Sequence, residues 1–316
     1  MASYLVTGGA GFIGSHLAQE LVRRGHRVRV ADSLITGKRR NLDHLPGVEF
    51  IEGDLADAAI ARRAVEEMEY VLHQAAIPSV PRSVDDPLTS NRSNIDATVS
   101  VLVAARDAGV KRLVYAGSSS AYGNTLTLPK REDMPADPLS PYALQKLVGE
   151  QYCQLFTRLF GFDTVTTRYF NVFGPRQDPG SPYSGVISLF ATALLEGRQP
   201  TIYGNGEQTR DFTYVANVVD GVLRAAEAPD VAGEVINVAT GGRISLNELL
   251  RIMNLIVGTT WTAIYEGART GDVMHSQADV SKASTLLGYT PIVSLEEGLR
   301  HTLEWCRQET PAPAAR

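Results

Sequence analysis

Short apolar runs alternate along the first half of the chain with longer stretches whose apolar residues recur every three or four positions. Tyr4-Leu-Val-Thr7 is apolar and β-branched and reads as a buried strand. Beyond it, apolar residues at 13, 17, 18, 21 and 22 have helical spacing up to Gly25, which ends the helix. Arg27 to Ala31 is a second strand with Asp32 at its end. The alternation continues with a strand over 48–51, a helix over 58–67 and a strand over 70–74. A long helix over 90–108, a strand over 111–116, a helix from Tyr142 to about Phe160 and a strand over 164–168 follow. Residues 77–87 are rich in proline and serine and read as a loop, as does the stretch through Pro129, Pro135, Pro138 and Pro141. Such alternation predicts an α/β fold, a doubly wound parallel (Rossmann) sheet with its site at the carboxyl ends of the strands.

After Arg168 the pattern loosens. A breaker-rich loop over 171–180 precedes a helix over 186–196, a short strand at 201–203 and a helix over 215–227. Glu234 to Ala239 reads as a last strand of the main sheet, and helices near 245–257, 279–287 and 294–306 close the pattern. We therefore expect a dinucleotide-binding domain over 1–170 plus about 213–240. A smaller, mixed α/β C-terminal substrate domain takes 171–212 and 241–309, and 310–316 is a frayed Pro/Ala tail.

Composition narrows the function. With 30 basic and 35 acidic residues the formal charge is -5, which argues against a general nucleic-acid binder. The Lys38-Arg39-Arg40 run is too short to change that. Cys153 and Cys306 fit reduced thiols in a cytoplasmic protein, and the six histidines show no ligand spacing, so no metal is expected. Neither a signal peptide nor a bilayer-spanning apolar run is seen, so no membrane partner is expected.

The first chemical signal is Gly8-Gly-Ala-Gly11-Phe12-Ile13-Gly14, set between strand and helix with Asp32 18 residues after Gly14. Glycines there let the backbone approach a pyrophosphate, whose charge faces the helix N-terminus. Asp32 can accept hydrogen bonds from a ribose 2′-hydroxyl and would repel a 2′-phosphate, which favours NAD over NADP. Asp54 can meet the adenine amino group or cap the next helix. The small Ala75-Ala76 pair suits a flat ring passing close by. The second signal is Tyr142-Ala-Leu-Gln-Lys146, whose tyrosine and lysine share a helix face. Tyrosine ordinarily titrates near pH 10, about three units too high for a base at neutral pH, and closing that gap takes roughly 4 kcal/mol of favourable field. Lys146 can give part and a positively charged nicotinamide ring more. Such pairs are common on amphipathic helices, so the motif gains meaning only from the glycine turn and from Ser118-Ser119-Ser120 at a strand end upstream. Arg210 and Arg269 are candidate diphosphate clamps, each equally readable as a surface ion pair.

Gly8–Gly14, Asp32, Ser118, Tyr142-x-x-x-Lys146 and Arg168-Tyr-Phe-Asn171 together resemble an extended short-chain dehydrogenase/reductase. Gly204-Asn-Gly206, Arg210-Asp211 and Arg269-Thr-Gly-Asp272 resemble its nucleotide-sugar branch, and most of all the UDP-hexose 4-epimerases, especially those acting on UDP-N-acetylglucosamine. The resemblance covers about residues 3–307. It implies that Gly8, Gly11, Phe12, Ile13, Gly14, Asp32, Asp54, Leu55, Ala75, Ala76, Asn94 and Tyr169, with Tyr142 and Lys146, hold NAD. It implies that Ser118, Tyr142 and Lys146 are catalytic. It further implies that Asn171, Val186, Tyr203, Arg210, Arg269 and Asp272 hold UDP. By the same resemblance, Ser119, Ser120, Gln177, Gly185 and Ser276 face the sugar, and Ser276 stands where members restricted to non-acetylated sugars carry a tyrosine. Pro78 occupies a loop position where glucose-specific members often have lysine and N-acetyl-specific ones glycine. Ser119 and Ser120 replace the acids that a 4,6-dehydratase or a decarboxylase would need. The implied activity is NAD-dependent inversion at C4 of a UDP-hexose through a 4-keto sugar, UDP-N-acetylglucosamine first, with UDP-glucose a second substrate. A UDP-glucuronate 4-epimerase is the rival enzyme and a non-catalytic NAD-binding regulator the rival class. The resemblance also implies a homodimer built on helices 90–108 and 142–158, whose apolar faces include Val99, Leu102 and Leu155; these could as well face the chain's own core.

Overall fold

A computed structural model describes residues 1–178, 185–267 and 273–309. Its centre is a seven-stranded, all-parallel sheet. The strands are β1 (Ser3–Thr7), β2 (Arg27–Asp32), β3 (Glu49–Glu52), β4 (Tyr70–His73), β5 (Arg112–Ser118), β6 (Thr164–Tyr169) and, from late in the chain, Val235–Val238. Their spatial order is Val235–Val238, β6, β5, β4, β1, β2, β3. The chain winds from β1 toward one edge, returns and winds toward the other. The switch lies between β1 and β4, where a crevice opens at the strands' carboxyl ends.

Both faces of the sheet are covered, which is why β1, β4 and the middle of β5 read as short apolar runs, while β2 and the edge strand β3 carry charged residues. Alternate residues serve opposite cores. Tyr4, Val6, Val30 and Val114 pack with α1 (Phe12–Arg23) and a helix over Val215–Glu227. Leu5, Ala31, Val71, Leu113 and Tyr115 pack with helices on the other side. These are α2 (Ala58–Val65), α5 (Ala97–Asp107) and α6 (Pro141–Phe160). Each fully buried large side chain contributes roughly 1.5–3 kcal/mol, and a one-residue register slip would send each set to the opposite core and break both packings.

Residues 77–87, expected as loop, instead contain α3 (Val80–Asp85), followed by α4 (Pro87–Asn91). The prolines and polar residues that suggest a loop are start signals. The Ser79 hydroxyl accepts the Arg82 amide, the Asp86 carboxylate accepts the Thr89 amide, and Pro81 and Pro87 stand in first turns. The expected single helix over 90–108 is α4 joined to α5 through one π turn at Arg92–Asp96. Asp57, not Asp54, caps α2, accepting the Ala59 amide at 2.7 Å.

The remaining elements are β7 (Val172–Phe173), α7 (Val186–Leu195), β8 (Thr201–Tyr203), β9 (Thr209–Arg210), β10 (Thr213–Tyr214), α8 (Val215–Glu227), β11 (Val235–Val238), β12 (Ile244–Ser245), α9 (Leu246–Val257), β13 (Ile264–Glu266), α10 (Ser281–Leu287) and α11 (Leu295–Glu309). Three two-stranded pairings, β7 with β10, β9 with β12 and β8 with β13, build the smaller region beside the sheet's carboxyl ends. β11 completes the main sheet against β6, as its apolar run predicts. Leu102 is wholly buried in the chain's own core, so of the residues expected on a dimer face it is excluded. Leu155 is exposed and Val99 half-buried. Among the described residues no helix is long and apolar enough to cross a membrane.

Candidate active site

A cleft of about 1230 Å³ runs along the carboxyl ends of the strands, and a smaller cavity of about 250 Å³ adjoins it. One end of the cleft is made by the glycine turn. Gly8 has a φ of +64°, and a Cβ there would lie 2.7 Å from the Ala75 backbone. At Gly14 a Cβ would lie 2.3 Å from the Gly8 carbonyl, so this turn accepts no side chain at either position. Gly11 caps α1 without a side-chain hydrogen bond, which leaves the opening amides of the helix turned toward the cleft. Asp32, only 7% exposed, accepts the Ala10 amide at 3.0 Å and the Leu34 amide at 2.8 Å, one on each oxygen. Burial raises its pKa and these two bonds oppose the rise. Each oxygen keeps a lone pair for a ligand hydroxyl.

The middle of the cleft holds the reactive groups. Ser118 ends β5, and its hydroxyl lies 2.8 Å from that of Ser120. Tyr142 begins α6, where Ser140 caps the helix and Pro141 starts it. The Tyr142 amide is further fixed by the hydroxyl of Ser83 on α3, 3.0 Å away. Burial pushes the Tyr142 phenol up to about 12, and a hydrogen bond with Ser118 pulls the other way. Lys146 lies one turn on, donates to the Ala116 carbonyl at 2.9 Å and sits 5.0 Å above the Tyr115 ring. Its pKa is brought down to about 8 by burial. Burial is the largest influence on both groups, so any field that makes Tyr142 a base has to offset that burial as well. A field larger than the roughly 4 kcal/mol reckoned from an unperturbed tyrosine is needed to make it a base.

The cleft brings most of the expected residues together. Gly8, Gly11, Phe12, Ile13, Gly14, Asp32, Asp54, Leu55, Ala75, Ala76 and Tyr169 line it with Ser118, Ser119, Ser120, Tyr142 and Lys146. Asn171, Gln177, Gly185, Arg210 and Ser276 line its far end, and Val186 and Tyr203 line the adjoining cavity. Asn94 does not reach the cleft. Its side chain is spent on the Ile77 amide at 2.7 Å and Gln145 at 2.8 Å, which braces the β4 exit loop against α6. Asp54 is paired at 2.9 Å with Arg92. Arg269 and Asp272 lie outside the described residues.

Several lining residues give no sequence signal. Lys38, which reads as part of a short basic run, lines the cleft beside Asp32 and is paired at 2.9 Å with Asp178 across it. Lys130 reads as a loop lysine yet is 2% exposed. Arg82 and Arg176 also reach the cleft. Among the described lining residues the cations Lys38, Arg82, Lys130, Lys146, Arg176 and Arg210 outnumber the anions Asp32, Asp54 and Asp178, which suits a phosphorylated ligand. A dinucleotide fits this surface. The side-chain-free turn at Gly8 and Gly14, the uncapped start of α1 and the half-used Asp32 carboxylate are what its pyrophosphate and ribose require.

Residues 4–239 match the NAD dependent epimerase/dehydratase family. A UDP-glucose 4-epimerase of Mycolicibacterium smegmatis is 40% identical over 311 residues, covering 97% of this chain and 99% of that protein. The structure of a UDP-N-acetylglucosamine 4-epimerase from Methanobrevibacter ruminantium, bound to UDP-N-acetylmuramic acid, superposes with a TM-score of 0.94 at 38% identity, covering 98% of this chain and 99% of that one. That of a UDP-glucuronic acid 4-epimerase from Bacillus cereus, bound to UDP-glucuronic acid and NAD, gives 0.90 at 34%, covering 98% and 100%. A glycine turn, an acid at the end of β2 and a Tyr/Lys helix on one cleft, with a family match over most of its length, make this chain a member of the NAD-dependent epimerase/dehydratase family.

Proposed function

We propose that the chain is an NAD-dependent 4-epimerase of UDP-hexoses. The observation that carries this reading is the convergence of Ser118, Tyr142 and Lys146 on the cleft that also holds the glycine turn and Asp32. The turn and the start of α1 would hold the pyrophosphate, Asp32 a ribose, and Lys146 the nicotinamide ribose. Bound NAD would supply a hydride acceptor and donor and a positive ring charge. Within that field Tyr142 takes the proton from the sugar 4-hydroxyl, with Ser118 in the hydrogen-bond path. Arg210, Asn171 and Tyr203 would hold the nucleotide while the sugar turns to present its other face. The cycle is redox-neutral, and the protein's part is alignment and proton transfer.

UDP-N-acetylglucosamine is the substrate that the far end of the cleft supports best. Ser276, Gly185, Gln177, Ser119 and Ser120 line it, and none of them is bulky and apolar. UDP-glucose is the second candidate. Incubation with UDP-glucose, UDP-N-acetylglucosamine and UDP-glucuronate, read by NMR, tests the reading; no change at C4 of any sugar over hours would reduce the chain to a dinucleotide binder. NAD(H) should also be recovered from the denatured protein. A homodimer through α5 and α6 is part of the same proposal. Val103, Leu144, Leu155, Leu159 and Phe160 are exposed apolar residues on those two helices, and a monomer by light scattering at micromolar concentration would reject it.

A further inference from the structure

His16 stands on α1, one turn beyond Phe12, and the two rings meet edge-on with centroids 6.0 Å apart. Its Nε2 lies 2.9 Å from the Pro175 carbonyl. A carbonyl only accepts, so Nε2 carries the proton. Desolvation, with the Arg176 charge beside it, brings the His16 pKa down to about 4, so the ring is neutral at pH 7 and Nε2–H is its one donor.

The carbonyl that His16 holds decides the shape of a turn. The Gln177 amide reaches back to the Gly174 carbonyl at 3.4 Å, with Pro175 and Arg176 between them. Arg176 has a φ of +66°, a left-handed angle that is costly for an L-residue and usually left to glycine. Proline second and a positive φ third make this a type II turn. In the type I alternative the peptide between Pro175 and Arg176 is turned over. Arg176 then relaxes to a negative φ, its side chain changes direction, and the Pro175 carbonyl points the other way. The Arg176 backbone favours the relaxed form; the His16 bond favours the strained one.

This turn belongs to a short segment laid against the dinucleotide side of the cleft. Pro175 is on His16, and the Arg176 guanidinium donates to Gln19, also on α1. Asp178 pairs at 2.9 Å with Lys38, whose amide donates to the Ala10 carbonyl of the glycine turn. Arg176, Gln177 and Asp178 line the cleft together with Gly11, Phe12 and Ile13 at the start of α1. With the central peptide turned over, the first contact is lost and the second loses its direction. The third is a partly exposed ion pair, which holds little alone.

We propose that His16 is a positioning residue: by fixing the Pro175 carbonyl it keeps residues 175–178 clasped on α1, and NAD leaves only when that clasp opens. The proposal concerns the cofactor and is independent of which sugar is turned over.

Exchange of bound NAD for isotope-labelled NAD in the protein as purified, followed by mass spectrometry, tests it. His16→Leu should speed exchange at least about fivefold, the loss expected when a carbonyl is deprived of its donor. His16→Gln, whose amide can still donate, should stay within about twofold of wild type. Arg176→Gly takes the left-handed angle freely, so alone it should exchange within about threefold of wild type. Adding His16→Leu to Arg176→Gly should change the rate by less than about twofold, because glycine keeps the turn without help. A histidine that only supports the fold would cause the same loss in both backgrounds. That result would overturn the assignment, as would unaltered exchange in His16→Leu, a loss in His16→Gln as large as in His16→Leu, or exchange in Arg176→Gly as fast as in His16→Leu. Should His16→Leu fail to fold, as circular dichroism would reveal, His16→Asn takes its place, since its amide ends near the position of Nδ1 and stops short of Pro175.

Discussion

Arg168 on β6 grips Glu150 on α6 through two hydrogen bonds of 2.8 and 2.6 Å, and both side chains are buried. Glu150 lies two turns beyond Tyr142 and one beyond Lys146, so the pair ties the reactive face of the helix to the sheet. The Arg168 guanidinium also lies 4.6 Å above the Tyr122 ring, with one nitrogen left without a hydrogen-bond partner. A buried pair of this kind adds little over an apolar substitute, but breaking it strands a charge.

Arg168→Met should therefore destabilise the protein by about 3–5 kcal/mol. The double variant Arg168→Met, Glu150→Leu should recover much of that loss, because it leaves no charge behind. Urea unfolding measures both. A single variant within about 1 kcal/mol of wild type, a loss typical of exposed pairs, would mean that the pair is not the tie described.

Tyr142→Phe removes the phenol and keeps the ring in place. Turnover should drop at least about a hundredfold, as for a lost general base, with UDP-sugar affinity kept. Lys146→Ala should weaken both cofactor retention and turnover, since Lys146 lines the cleft one helical turn from Tyr142. Near-normal kcat in Tyr142→Phe, measured by coupled assay or NMR, would end the role assigned to it.

The fold was readable because both faces of the sheet are covered, so β1, β4, β5 and β11 appear as short apolar runs separated by helical periodicity. The glycine turn was readable because sterics at Gly8 and Gly14 leave no alternative residue. What escaped were features whose meaning depends on distant partners. Pro81 and Pro87 look like loop residues until Ser79 and Asp86 are seen to cap short helices. Asn94 looks like a ligand until Gln145 and the Ile77 backbone are found to consume it. Lys130 and Lys38 sit in unremarkable stretches, and only tertiary pairing with residues 277–279 and with Asp178 brings them to the cleft. The acid–base state of Tyr142 depends on burial, which spacing along a helix cannot convey.

His73 offers a stability test outside the chemistry. It is buried between the Thr7 hydroxyl at 2.7 Å and the Thr98 hydroxyl at 3.0 Å, and burial depresses its pKa to about 3. Its folded-state value is thus below the usual 6.5, so below about pH 6.5 the unfolded chain binds a proton that the folded chain refuses. Stability is fully present above pH 6.5 and falls as pH drops toward 3, by about 1.4 kcal/mol per pH unit from this group. His73→Gln should be less stable at pH 7 and should lose that share of the slope between pH 4.5 and 6. Chemical denaturation at a series of pH values measures it; parallel curves for wild type and variant would contradict the assignment.

The proposed sugar gate is tested at Ser276. This residue is 9% exposed, its amide is anchored on the Thr209 carbonyl at 3.0 Å, and its side chain lines the cleft. Backbone anchoring matters, because a larger side chain at 276 cannot be relieved by a shift of the strand-like segment without breaking that bond. Gly185 lies across the same end of the cleft, and Gln177 and Ser119 offer polar groups to an amide. Ser276→Tyr adds a whole ring where an N-acetyl group on C2 would sit. The variant should lose activity on UDP-N-acetylglucosamine by at least about a hundredfold, since overpacking a filled site costs several kcal/mol when nothing can move. Activity on UDP-glucose, which carries only a hydroxyl at C2, should stay within about fivefold of wild type, a difference of about 1 kcal/mol. Steady-state kinetics on the two sugars gives the ratio directly. Equal loss on both would point to a collapsed cleft, and no loss on either would show that the wall at 276 does not meet C2.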